Sequence, residues 1–251
     1  MDKKEGENME TKLGNRIFSE VNRPAKELIE KFKGIPSSNI NDEMNRLYCM
    51  HDYIHLLNPE NSFQLLGPAF TVKASQGDNL MFHLALDMAQ PGDVLVIDGG
   101  SGNNRSLCGE LMLTFAQGKG LAGIVIDGCV RDLDGLERLN IPVYAKGVTP
   151  QGPWKNGPGE INVPVSCGGQ VVFPGDILVG DRDGIVVIRP QDAEYVAKKA
   201  IKKKAGEDAA FDMMKNDFEG YIQKHDKSTK DRIISSGQKI DMLERYEDLY
   251  C

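Results

Sequence analysis

The sequence predicts an α/β domain with helices before it and a long helical tail behind it. Two observations carry this expectation. Asp93-Val-Leu-Val-Ile-Asp98 and Ala122-Gly-Ile-Val-Ile-Asp127 are short apolar runs of the kind that form buried strands, and a helical segment that opens at Gly109 and ends at the glycines Gly118 and Gly120 lies between them. A second helical stretch, residues 133–139, and a further strand, Ile141-Pro-Val-Tyr-Ala145, follow at once, so the strand–helix pattern repeats. If the two central strands are parallel, their connection is a right-handed crossover. The helix N-terminus then sits at the edge where both strands end, which is where open α/β sheets bind ligands. Glu110, in the first helical turn, and Arg131-Asp132, just past the second strand, converge there.

Taken in order, residues 1–15 read as frayed. Residues 16–32 carry helical spacing at Ile17, Val21, Leu28, Ile29 and Phe32, interrupted by Pro24. After a break at Gly34-Ile-Pro-Ser-Ser, a second helix is expected to start near Asn41 or Asp42, with a capping residue ahead of apolar spacing. Residues 65–74 read as strand, and 78–88 as a helix carrying Leu80, Phe82, Leu84, Leu86 and Met88. The loop 147–159 holds the single tryptophan, Trp154, and a loop this long inside a domain is usually functional or mobile. Residues 170–190 read as short strands with Gly/Asp turns, typical of antiparallel sheet. Within them Pro174-Gly-Asp-Ile-Leu-Val-Gly-Asp181 nearly copies Pro91-Gly-Asp-Val-Leu-Val-Ile-Asp98, although Pro-Gly-Asp is also a common turn. From Gln191 the chain is helical and charged, without an apolar stripe along its length. The expected organisation is an N-terminal helical segment (1–34), a central domain (35–190) and a helical tail (191–251).

Composition narrows the function. With 251 residues and 40% apolar content the chain can bury a sizeable core. Its net charge of −7 argues against nucleic acid as a partner, because phosphate-backbone binders present basic surfaces. The 5 cysteines are odd in number and lack CxxC spacing, so they read as reduced thiols. The first residues have no apolar signal segment, and no run approaches a membrane span. A cytoplasmic protein without membrane association is expected.

Each residue at the predicted sheet edge has a plain structural explanation. An acid such as Glu110 is stabilised by the helix dipole, Asp132 can cap the helix that follows it, and Arg131 can pair on the surface. Their convergence favours chemistry. Amides at Gly109 to Met112 suit a carboxylate, and the planar fork of Arg131 suits a carboxylate or enolate oxygen. Asp132 suits Mg²⁺, which takes one or two protein carboxylates and keeps several waters, and Glu110 binds the ion or orients those waters. Other candidates are weaker. Gly100-Ser-Gly102-Asn-Asn-Arg105 lacks the third glycine of a dinucleotide fingerprint, and no P-loop pattern occurs. His51 and His55 lack the glutamate of a zinc helix motif, and His83 reads as a core or interface residue. Cys108 and Cys129 flank the site with no histidine beside them.

Gly109-Glu110-Leu111, the twenty-residue spacing from Glu110 to Arg131-Asp132, and Asp127-Gly-Cys-Val-Arg-Asp132 together resemble the signature of the RraA-like family. That family includes the class II 4-hydroxy-4-methyl-2-oxoglutarate/4-carboxy-4-hydroxy-2-oxoadipate aldolases. Pro164-Val-Ser-Cys-Gly-Gly169, Pro174-Gly-Asp176 and Asp181-Arg-Asp-Gly184 extend the likeness over roughly residues 35–200. The resemblance implies a swivelling β/β/α domain, phosphohistidine-domain-like, assembled as a homotrimer or dimer of trimers with sites between subunits. It implies that Asp132 binds Mg²⁺ or Mn²⁺, that Glu110 holds waters of the ion, and that Arg131 binds pyruvate. The amides around Leu111, from Gly109 to Met112, would meet the substrate carboxylate. The implied activity is retro-aldol cleavage of a small anionic oxo acid through a pyruvate enolate, which also arises when oxaloacetate is decarboxylated. Two features depart from the family: the tail beyond Ala200 is long, and the acid that reaches into a neighbouring site has no clear counterpart. The family also contains ribonuclease inhibitors that act by protein binding, which gives an alternative reading with a vestigial site.

Overall fold

The computed structural model describes residues 12–59, 64–102 and 104–238. The first elements are α1 (Lys26–Glu30), α2 (Ser37–Glu43), β1 (His55–Leu56), β2 (Leu65–Ala74) and α3 (Leu80–Met88). The central unit follows as β3 (Val94–Asp98), β4 (Ser106–Cys108), α4 (Glu110–Gly118), β5 (Gly123–Val130), α5 (Leu133–Leu136) and β6 (Val143–Val148). Then come β7 (Gly159–Ile161), β8 (Val165–Cys167), β9 (Gln170–Val172), β10 (Ile177–Asp181) and β11 (Gly184–Ile188), and the last elements among the described residues are α6 (Pro190–Asn216) and α7 (Phe218–Ser236). Residues 1–201 and 202–251 form two compact units. The fold is the expected α/β class, with short helices ahead of the sheet and long ones behind it. The frayed reading of residues 1–11 lies outside the described residues.

The main sheet runs β1-β6-β5-β3-β2-β10-β11, with β4 added to β5 and β7 to β2. Strands β2, β3, β5 and β6 are mutually parallel, while β10 pairs antiparallel with both β2 and β11. Alternation along β3 shows how the sheet is covered. Leu95 and Ile97 pack with Phe82, Ala85 and Leu86 of α3 and Leu113 and Ala116 of α4. Val94 and Val96 face the other way, into a cluster with Val125, Tyr144, Leu178 and Val187. A third cluster seats Ala193, Val196, Ala197 and Ala200 of α6 on Ile177, Val179 and Ile188. Burying each Val, Ile or Leu in these layers contributes about 1.5–3 kcal/mol.

Several expectations are corrected. Residues 16–25 are not helical. Ile17 bridges to Ile161, Phe18 N–H donates to the Ile161 carbonyl and Ile161 N–H to the Arg16 carbonyl, so β7 takes the hydrogen bonds a helix would need. Helix begins only at Lys26, beyond Pro24, and is five residues long. The second helix begins at Ser37, not near Asn41. It ends because Asn45 and Arg46 adopt left-handed φ of 55° and 61°. In α3 the buried residues are Met81, Phe82, Ala85 and Leu86, whereas Leu80 and Leu84 are exposed, because a 3.6-residue period buries one stripe only. The two Pro-Gly-Asp segments share one turn. Gly92 and Gly175 have φ of 89° and 88°, and Asp93 and Asp176 each accept a backbone N–H three residues upstream, from Gln90 and Phe173. Each aspartate also holds an arginine, Arg23 and Arg189 respectively. Turn chemistry accounts for this local likeness.

Candidate active site

The site forms where β4 delivers the chain into α4 and β5 delivers it into α5. Strand β4 pairs with the end of β5, Cys108 opposite Val130, and Arg131 N–H donates to the Cys108 carbonyl at 3.0 Å. Gly109 and Arg131-Asp132 are thereby held side by side. Asp132 turns the chain with left-handed φ 63°, ψ 46°, a conformation a non-glycine residue adopts at a cost. Its carboxylate does not cap α5. It accepts instead from Glu110 N–H, the first amide of α4, at 3.1 Å, where the helix dipole favours negative charge. Gly109 makes this approach possible, because a Cβ there would collide with the Asp132 carboxylate and lie 3.0 Å from Arg131 Cγ.

Arg131 and Asp132 are neighbours without being locked together. Arg131 Nε is 3.6 Å from Asp132 Oδ2, and each side chain is 45% exposed, which leaves both available to a ligand. Glu110 shares the backbone of this corner, but its carboxylate accepts from Arg138 at 2.9 Å and lies over Gly135, on the α5 side. Gly109, Leu111, Met112, Arg131 and Asp132 line one cleft of about 130 Å³. The cleft is completed by Asn79 and His83 of the α3 region, Cys108, and Pro153 and Lys155 from the long loop.

Burial above all, and then Asp132, pushes the Cys108 thiol far up, so it is neither thiolate nor nucleophile near neutral pH. Burial first and Lys155 second lower the His83 pKa, which keeps that imidazole neutral at pH 7. A larger concavity of about 700 Å³ lies along Arg23, Ile29, Leu66 and Asp93, but its arginine is already committed to Asp93. It brings together none of the residues of the sheet-edge corner.

Among the described residues no three His, Cys, Asp or Glu side chains cluster to hold a metal. The cleft offers one exposed carboxylate, Asp132. That donor set does not suit a cation needing several protein ligands, but it suits Mg²⁺ or Mn²⁺ that keep most of their waters. The sequence reads the loop 147–159 as functional or mobile, yet Asn79, Pro153 and Lys155 carry no motif. Long-range bonds, among them the pairing of residues 77–79 with 154–156, bring them to the cleft.

The fold and cleft define a class: α/β proteins that present helix-start amides, an arginine and one open carboxylate at a sheet edge. The chain belongs to the RraA-like family, whose model, described as Aldolase/RraA, matches residues 37–187. A Halalkalibacterium halodurans protein, provisionally named 4-hydroxy-4-methyl-2-oxoglutarate aldolase, is 42% identical over 183 residues, covering 73% of this chain and 86% of its own. An Arabidopsis thaliana protein with the same provisional name, numbered 3, is 36% identical over 145 residues, 58% of this chain and 86% of its own. A Streptomyces coelicolor structure, described as an unusual member of the RNase ES inhibitor RraA protein family, matches with a TM-score of 0.67 at 28% identity, covering 75% of this chain and 97% of that one.

Proposed function

We propose that this protein is a divalent-metal-dependent class II aldolase, a lyase that cleaves a 4-hydroxy-2-oxo acid such as 4-hydroxy-4-methyl-2-oxoglutarate to pyruvate. The observation that carries the reading is the corner at the start of α4. There the half-exposed Asp132 carboxylate is held by the first helical amide, with the half-exposed Arg131 guanidinium 3.6 Å away. The names of the Halalkalibacterium and Arabidopsis relatives support the same substrate class.

The amides of Leu111 and Met112, which helix geometry leaves without intrahelical acceptors, meet the substrate's C1 carboxylate. Arg131 directs its donors at the C2 oxygen. As the C3–C4 bond breaks, its electron pair moves to C3 and negative charge gathers on that oxygen, where a fixed cation stabilises it most. The C4 hydroxyl passes its proton to solvent water as it becomes the carbonyl of the departing product, and C3 takes a proton back from water to give pyruvate. Mg²⁺ or Mn²⁺ at Asp132 would supply Lewis-acid stabilisation of the same charge. Glu110, held by Arg138 next to this corner, orients waters at its rim. Oxaloacetate loses CO₂ through the same charge pattern, which makes decarboxylation a companion activity. Leu111, 86% exposed, and Phe115, 49% exposed, sit on α4 beside the cleft, and their burial fits assembly as a homotrimer or dimer of trimers.

Pyruvate release, coupled to lactate dehydrogenase, from 4-hydroxy-4-methyl-2-oxoglutarate and from oxaloacetate tests the proposal. Release that needs Mg²⁺ and stops with EDTA is expected, and no release from either substrate counts against it. The alternative is a regulator that binds and inhibits a ribonuclease, with a vestigial site. It draws on the likeness to the Streptomyces inhibitor family and predicts inhibition without turnover.

A further inference from the structure

We propose that the concavity between α1 and the starts of β2 and β3 is a second ligand site, separate from the cleft, and that it takes an apolar monocarboxylate. This goes beyond the function proposed above and does not depend on it. Strands β2, β3 and β5 are parallel, and the cleft lies past the end of β5, so the two sites occupy opposite edges of the sheet.

The concavity has a volume of about 700 Å³, within the range of small-molecule sites. Its apolar walls are Pro24, Ile29, Leu66, Pro68 and Pro91. Three of these are prolines, whose rings lose no side-chain freedom when a ligand packs on them. Two polar clamps hold the walls apart. Arg23 donates through Nε and one terminal nitrogen to both Asp93 oxygens at 2.7 Å, and Asp93 also accepts from Gln90 N–H at 2.8 Å, which fixes the strap before α1 to the turn before β3. Gln64 Nε2 donates to the Phe32 and Ile35 carbonyls at 3.1 and 3.0 Å, and its Oε1 accepts from Gly34 N–H at 2.9 Å, which fixes the turn after α1 to the start of β2. No residue of α1 is buried, so these clamps at either end keep it standing over an apolar space.

Charge then selects the ligand. Arg23 and Asp93 cancel each other in their fork, and Lys26 and Glu30 cancel across 3.6 Å. Lys33 lines the same concavity, is exposed, and forms no ion pair with any carboxylate among the described residues. The lining therefore carries one uncompensated positive charge beside apolar walls. That complements a single carboxylate on an apolar body, whereas a cation of the same shape meets like charge.

The test is calorimetric titration of the full-length protein with hexanoate, octanoate and decanoate, and with octyltrimethylammonium as the cation of matching chain. Saturable binding of one carboxylate per chain is expected, tightening about fourfold for each methylene the walls cover. Octanoate is expected to bind severalfold more tightly than octyltrimethylammonium, and Lys33→Glu to reverse that order. Lys33 is exposed, so this variant tests the charge without disturbing the fold. Ile29→Trp fills the concavity and is expected to abolish binding of the carboxylates. Neither variant touches the cleft, so pyruvate release should stay at the wild-type rate in both. No saturable binding, affinity that ignores chain length, or an unchanged order in Lys33→Glu would overturn the site. Wild-type octanoate affinity in folded Ile29→Trp would overturn it too, and if that variant does not fold, Lys33→Glu decides.

Discussion

Gly109, Arg131 and Asp132 form a unit in which each residue sets the geometry of the next. Gly109 is required for lack of a Cβ, Asp132 for a carboxylate that reaches the α4 amide from a left-handed backbone, and Arg131 for a half-exposed charge set 3.6 Å from that carboxylate. Arg131→Ala and Asp132→Ala should each lower pyruvate release by at least about 100-fold, the usual scale for losing a group that stabilises developing charge. Both side chains are substantially exposed, so the melting temperature should stay within a few degrees of wild type. Substantial turnover in either variant would contradict the roles assigned. Gly109→Ala should also cut turnover severely, because the added methyl displaces the Asp132 carboxylate. Wild-type kinetics in that variant would show that the contact between Asp132 and Glu110 N–H is dispensable.

Among the elements, the β3–α4–β5 unit was readable because its signals are local: two apolar runs, a helix bounded by glycines, and short joints. Those signals led to Glu110, Arg131 and Asp132. Strand β4 was not readable, because three residues inside a glycine-rich loop become a strand only through pairing with β5. The segment around Ile17 misled for the same reason. Its apolar spacing suits a helix, but β7 captures its backbone and Glu160 accepts from Gly14 N–H and from Arg16. That attachment is sensitive to pH. The Arg16 hydrogen bond, more than any other influence, holds the Glu160 carboxyl below its ordinary 4.5. A lowered folded-state pKa contributes stability that is present above about 4.5 and is lost as pH falls through the lower folded value. Thermal melts from neutral pH down to about pH 3 should therefore fall more steeply for wild type than for Glu160→Gln. Identical slopes would mean that the arm contributes nothing to acid stability.

At the scale of the whole molecule, the sheet brings residues far apart in sequence, 79, 109, 131 and 155, to one edge, while α3, α4 and α6 seal its apolar surfaces. The meeting of residues near 109 and 131 was legible in the sequence because one crossover connects them. The wall built from 79 and 155 did not, since only a long-range latch creates it. The 202–251 unit carries α7, Phe218–Ser236, in which no residue is buried. The central claim is that this edge stabilises the enolate of pyruvate, and it can be tested without knowing the natural substrate. Pyruvate in D₂O with the protein and Mg²⁺ should lose its methyl proton signal by NMR as the enolate forms and takes up deuterium. The exchange should stop with EDTA and in Arg131→Ala. No exchange with wild type and Mg²⁺, or exchange at the wild-type rate in Arg131→Ala, would contradict the account.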